Sequence, residues 1–187
     1  VRNMVTVLGG ISTTESLKAL SRLVTDPDSR IRREVVRAVT RASGPTAEAI
    51  LLALLEDSDP AVRLMAVSAA TSQRTPEVLE ALWGMYRRIG IRVPEWNLKA
   101  QILQTVGRMG LPEATERLET VVAKQPFLWR RRWEVVHAAA IQAMGAGGGR
   151  RARAVLEKLL DNRNAGIRRA ALRALAACGD GRVAEES

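Results

Sequence analysis

Five times along this 187-residue chain, an apolar residue opens a run of small and aliphatic side chains, usually with a base directly after it. The opening residues are Ile31, Val62, Leu98, Trp133 and Ile167, spaced 31, 36, 35 and 34 apart. A period in this range marks a repeat architecture, in which each unit buries its apolar face only by stacking on its neighbours. Within each run, apolar or small residues recur at +4, +7 or +8, as Ile167, Ala171, Ala174 and Leu175 do, which is helical spacing. A second amphipathic segment precedes each run. Leu17, Leu20, Leu23 and Val24 form one, Ile50, Leu51, Leu54 and Leu55 another, and Val155, Leu156, Leu159 and Leu160 a later one. No stretch alternates as a strand would. The expected class is therefore all-α, built of helix pairs.

Punctuation agrees with the pairing. Asp28, Asp59 and Asn164 stand three residues before an opening apolar residue, where an N-cap belongs. Gly44, Gly110, Gly145 and Gly179 are placed to end second helices. Composition narrows the chemistry. Apolar residues make up 47% of the chain, which excludes disorder, and aromatics only 3%, so the core is aliphatic. A single Cys and a single His exclude a disulfide framework and a Cys- or His-based metal site. No metal and no cofactor is expected. No apolar run reaches the ~20 residues of a membrane-spanning helix. No basic–apolar–small leader opens the sequence, so the expected location is cytoplasmic.

The turn sequences Asp26-Pro27-Asp28-Ser29-Arg30-Ile31-Arg32 and Asp57-Ser58-Asp59-Pro60-Ala61-Val62-Arg63 resemble the inter-helix signature of HEAT repeats. They are most similar to the short bacterial type related to phycobilisome-lyase HEAT-like repeats. The resemblance covers nearly the whole chain. It implies a right-handed α-solenoid of stacked antiparallel helix pairs. Residues 1–12 would be the second helix of a truncated repeat. Repeats would follow at 13–43, 44–74, 75–110, 111–145 and 146–179, with a frayed tail at 180–187. Such a chain would be a fragment of a longer protein, a monomer or weakly associated through its uncapped N-terminal end. The family pattern also implies a ladder in which the Arg after the opening residue pairs with a turn residue of a neighbouring repeat. Its members here would be Asp28, Arg32, Asp59, Arg63, Asn164 and Arg168. Glu134 stands where that Arg belongs in the fourth repeat, which departs from the pattern.

Charge is unevenly spread. Residues 120–173 hold twelve bases against three acids, a surplus of +9, and the rest of the chain cancels. A partner drawn by charge therefore meets the C-terminal part first. Two junctions between paired helices are longer than their neighbours, around residues 87–96 and 124–133. Stacked repeats bring such junctions side by side at about the 10 Å of helix packing. Arg92 and Trp96 would then neighbour Trp129, Arg130, Arg131 and Arg132. An Arg–Trp edge suits carboxylate, phosphate or nucleobase recognition, through forked hydrogen bonds and stacking. With Arg150, Arg151, Arg153 and Arg169, these residues are the candidate contact set.

Three functions are compatible with these residues. The first is a non-enzymatic scaffold binding a protein with an acidic surface. The second is nucleic-acid binding, which the charge and the Arg–Trp edge also permit. The third is an enzyme, with HEAT-like DNA glycosylases as the precedent that the resemblance offers. Its candidates are Trp96 with Glu95 and Trp133 with Glu134. No nucleophile–base pair accompanies them, so no catalytic residue is nominated. Gly145 to Arg151 is rich in glycine but lacks the spacing and the Lys-Ser/Thr pair of a nucleotide loop. His137 stands where the other repeats have Val35, Ala66, Ile102 and Ala171, so it reads as a tolerated core residue.

Overall fold

A computed structural model describes the backbone of residues 14–89, 93–124 and 130–180, with side chains over 15–89, 96–124 and 133–178. Among these residues every regular element is helical and there is no strand. The expected truncated helix at 1–12 and the tail from 181 lie outside the described residues. The chain divides into two compact units, with the boundary between Met85 and Tyr86.

The N-terminal unit contains α1 (Thr14–Arg22), α2 (Ser29–Val39), α3 (Pro45–Leu55) and α4 (Pro60–Ala69). It also holds most of α5 (Pro76–Arg88). Odd helices pack on odd and even on even: α1 meets α3, and α2 meets α4, with α3 touching both of the latter. Leu17, Leu20, Val35, Val39, Ile50, Leu51, Leu54, Leu55, Val62 and Val67 fill the space between them, all buried. Each such aliphatic side chain contributes ~1.5–3 kcal/mol when fully buried. The buried Gln73 amide donates to the Ala42 carbonyl at 2.5 Å, tying consecutive repeats through one polar contact.

One turn motif recurs before α2, α4 and the last helix, α10 (Ala165–Asp180). Asp26, Asp57 and Asn162 each accept from the backbone N–H two residues on, at 2.8, 2.7 and 2.9 Å. Asp28, Asp59 and Asn164 then cap the helix, accepting from Arg30, Ala61 and Gly166 N–H. Finally an Arg closes the turn from inside. Arg32 Nη1 donates to the carbonyls of Asp26 and Pro27, Arg63 Nη1 to Asp57 and Ser58, and Arg168 Nη1 to Asn162 and Arg163. The motif satisfies donors and acceptors that the helix start would otherwise orphan.

The expected ladder residues are thereby reassigned. Asp28, Asp59 and Asn164 are spent on capping, because a side chain three residues ahead of the opening position reaches the first free N–H groups. The cross-repeat pair is Arg32 with Asp57. Arg32 Nε and Nη2 meet the two Asp57 oxygens at 2.7 and 2.9 Å, and both residues are buried. Burial alone would raise the Asp57 carboxyl. The Arg32 guanidinium and the Asp59 N–H outweigh it and hold the group below its ordinary value.

The C-terminal unit contains α6 (Val93–Met109), α7 (Pro112–Ala123), α8 (Arg130–Gly147), α9 (Gly149–Lys158) and α10. Helix α8 is central: α6 and α10 pack along it, and α7 and α9 also pack against it. The contact between α6, α8 and α10 is close because it is made at glycine and alanine. A Cβ on Gly107 would collide with the Ala143 carbonyl oxygen, and one on Gly145 would lie 2.8 Å from that of Ala174. Gly145 therefore lies inside α8 as a packing residue and does not end the helix. The stop falls at Gly148, with φ 65°, and Gly149, with φ 86°, a backbone that L side chains adopt only with strain. In the third repeat Lys99 stands where Arg32 does in the first. Its ammonium donates to the Tyr86 carbonyl at 3.0 Å and lies 4.4 Å from the centre of the Tyr86 ring.

Candidate functional site

The unit boundary separates the charge. Residues 1–85 carry ten bases and ten acids, whereas residues 86–187 carry nineteen bases and ten acids, so the whole +9 belongs to the C-terminal unit. Exposed bases without a carboxylate partner among the described residues occur in both units, Lys18, Arg22, Arg41 and Arg74 being among those of the N-terminal one. In the N-terminal unit Arg30 meets Asp28, Arg32 meets Asp57 and Arg37 meets Glu34. In the C-terminal unit Arg150, Arg163, Arg169 and Arg173 are exposed and have no carboxylate partner among the described residues. They sit on α9, on the α9–α10 turn and on α10, where the flanking acids are few.

The candidate contact residues fall in several places. Arg92 and Trp129 lie outside the described residues. Arg130, Arg131 and Arg132 form the first turn of α8, and their side chains lie outside the described ones. Arg150 and Arg151 open α9 and are exposed. Among the contact residues with described side chains, Arg151 alone has acidic neighbours, Glu116 at 3.6 Å and Glu119 at 3.4 Å on α7. Exposed pairs of this length contribute little, ~0–1 kcal/mol. Arg153 is half-buried, and Arg169 is exposed on α10.

Trp96 departs from the expectation. It is only 6% exposed and packs edge-on against Trp133, with ring centres 5.8 Å apart. It offers no face to a nucleobase. The reason is its place in the helix: it starts the α6 face that buries Ile102, Leu103 and Val106. Of the glycosylase candidates, the two indoles pack on each other, Trp133 is half-buried and Glu134 is exposed. The Glu95 side chain lies outside the described ones. Among the described residues no group of three His, Cys, Asp or Glu side chains converges on a metal position.

His137 lies one turn further along α8, its ring tilted at 47° to that of Trp133 with centres 5.7 Å apart. It is buried, and its Nε2 has no hydrogen-bond partner. Burial pushes the imidazole below its ordinary pKa, against the backbone at Lys124 and Val121 and the charge of Glu134. A folded pKa below the unfolded one means the unfolded chain takes up the proton first as pH falls. Stability should therefore drop below the ordinary value of about 6.5. Thermal unfolding at pH 7.5 and 5.5 checks this: the wild type should melt earlier at pH 5.5, and His137→Val should remove most of that difference. An equal pH shift in both proteins would contradict it.

Cys178 is half-buried and its thiol donates to the Gly145 carbonyl at 3.3 Å. Burial pushes this thiol up, against the charge of Arg153, which keeps it in the unreactive form. A cleft of about 270 Å³ opens between the ends of α6 and α8 and the starts of α7 and α9, lined by Gly107, Gly110, Leu118, Gly148 and Arg150 among others. Sequence reasoning leaves Arg163 and Arg173 out of the contact set, though it counts their charge. It does not single out Leu172 either, which is 57% exposed on α10. The apolar pattern gives no signal for it, since it repeats a position that is buried elsewhere.

No family model matches the chain, and no curated protein matches it. Solved structures do. The crystal structure of an engineered protein is 20% identical with a TM-score of 0.50, over 96% of this chain and 89% of that one. A designed armadillo repeat protein is 17% identical at a TM-score of 0.48, over 95% and 92%. A second, solved with the peptide (KR)4, is 18% identical at 0.48, over 93% and 91%. At 20% identity the first likeness is one of fold alone. Together with the recurring turn motif, it makes this chain an all-α helical-repeat protein of the solenoid class.

Proposed function

We propose that the chain is a non-enzymatic helical-repeat scaffold whose C-terminal unit binds an acidic macromolecule, and that this macromolecule is a protein. One observation carries the reading: the whole net charge lies in that unit, and four arginines of α9, the α9–α10 turn and α10 are exposed without a carboxylate among the described residues. Unpaired guanidinium groups, with their planar fork of donors, are set for forked contact with carboxylates at little cost in ordering. Long helix faces supply a broad surface, as in repeat proteins generally. Nucleic acid meets the same charge, but the buried Trp96 removes a stacking platform that single strands would use.

Titration of labelled polyglutamate at about 50 and about 200 mM salt tests the reading. Wild type is compared with a variant carrying Ala at Arg150, Arg163, Arg169 and Arg173. Polyglutamate should bind at the lower salt and weaken at the higher, and the variant should bind at least about tenfold more weakly, a loss of ~1.4 kcal/mol or more. Equal binding by the variant, or none by the wild type, would sink the proposal. Tighter binding of random-sequence duplex DNA than of polyglutamate, with a steep salt slope, would replace the protein partner by nucleic acid.

A further inference from the structure

We propose that the outward face of α10 is a docking site for a protein segment carrying an acidic turn ahead of an amphipathic helix. This deepens the reading of an acidic protein partner and rests on it. The repeat register supplies the first observation. Aligning Ile31, Val62, Leu98 and Ile167 puts Leu172 in register with Val36, Val67 and Leu103. Those three are 2%, 0% and 0% exposed, whereas Leu172 is 57% exposed. In the first repeat the position is covered by the second repeat: α4 packs on α2, with the Asp57 turn leading into it.

Arg168 supplies the second observation. Its Nη1 holds the carbonyls of its own turn as Arg32 does. In Arg32 the remaining edge, Nε and Nη2, grips both oxygens of Asp57. In Arg168 that edge has no hydrogen-bond partner among the described residues. The guanidinium is thus fixed at one edge and open at the other, one helical turn from Leu172 on the same face. Arg63 makes the same clamp, but Val67 beside it is fully covered. At Arg168 the open edge adjoins a bare apolar side chain.

The surroundings decide the chemistry of the occupant. Gly166, Arg169, Leu172 and Arg173 line an open hollow of about 410 Å³. Arg169 and Arg173 are exposed and have no carboxylate partner among the described residues, so the rim selects against bases. A carboxylate fills the Arg168 edge with two parallel hydrogen bonds. An apolar side chain from the helix behind that carboxylate covers Leu172. Phosphate could meet the arginines, but a nucleic-acid backbone brings nothing apolar to Leu172. The chain itself shows the pairing, in Asp57 and α4 against Arg32 and Val36.

The probe is a labelled peptide with the sequence of residues 55–72, which holds that turn and helix. Anisotropy at about 50 mM salt should show it binding the full chain. Asp57→Asn in the peptide should weaken binding at least about tenfold. So should Leu172→Ser or Arg168→Lys in the protein, while Arg22→Ala, on an exposed side chain of the N-terminal unit, leaves it within about twofold. Leu172→Ser alters an exposed side chain, so a matching melting temperature separates lost binding from lost folding. If Leu172→Ser and Arg168→Lys bind as wild type does, the docking face is refuted. Binding of polyglutamate without preference for the turn peptide also refutes it, and leaves the broader function standing. Binding of neither probe removes both. A concentration-dependent dimer that Leu172→Ser dissolves gives the face to a second copy and overturns the assignment.

Discussion

Asp57→Ala is expected to destabilise the N-terminal unit by about 3–5 kcal/mol, the range for removing one partner of a buried ion pair. The Asp57 side chain is 4% exposed and that of Arg32 10%, so the stranded guanidinium cannot turn to water without opening the turn. Asp57 also orders the turn by accepting from the Asp59 N–H, and that bond goes too. Arg32→Ala should cost a similar amount, because it removes both the carboxylate pairing and the clamp on the Asp26 and Pro27 carbonyls. The double variant should cost clearly less than the sum of the two singles, since no partner is left stranded by the loss of the other. Urea unfolding of the four proteins measures the coupling. Strictly additive losses would mean that the pair is not a unit. The pH dependence has a definite sign. With the Asp57 carboxyl held low when folded, its contribution is full above the ordinary value of about 3.9 and is lost as pH falls below it. Arg63→Ala and Arg168→Ala should cost less, because they remove carbonyl contacts without stranding a buried charge.

Gly107→Ala is expected to destabilise the C-terminal unit by about 1–3 kcal/mol or more, the cost of overpacking a close contact. Helix propensity alone predicts the opposite, a gain of about 1 kcal/mol for Ala over Gly. Geometry decides between them. The added carbon would overlap the Ala143 carbonyl oxygen and lie 2.7 Å from the Ala143 Cα, and these atoms belong to a helix backbone, which cannot rotate away. The helices must separate, and the contact of α8 with α6 loosens along its length. Gly145→Ala, against Ala174, should have the same sign at smaller size, since its closest approach is 2.8 Å. Thermal melts of both variants check this. A stabilised Gly107→Ala would show that the close approach of α6 and α8 is not held in solution.

The helix pairing can be read from the sequence because a period-3.6 apolar pattern and capping residues are local properties. Asp28, Asp59 and Asn164 show this: a cap needs only its own turn. The ladder is less legible. Arg32 reaches Asp57 and not Asp59, and the difference of two residues depends on which carboxylate the following helix consumes. Gly145 misleads for a related reason. A glycine near a helix end reads as a stop, yet here the helix continues and the missing Cβ makes room for Ala174. The long junction before Trp96 suggests an exposed edge. Its burial comes from Trp133, a neighbour 37 residues away that no local pattern announces. Charge is legible as a sum, and the boundary at Met85 shows why it matters: one unit is neutral and the other carries all of it. Which arginines stand unpaired depends on the acids beside them in space.

The unpaired charge on the C-terminal unit is, on this reading, the binding surface. Amide chemical-shift mapping of the full chain, with polyglutamate added at about 50 mM salt, tests it most directly. The shifted amides should fall in α9 and α10, around Arg150, Arg163, Arg169 and Arg173, and the shifts should fade as salt is raised. Shifts concentrated in residues 14–85, or spread evenly over both units, would contradict it.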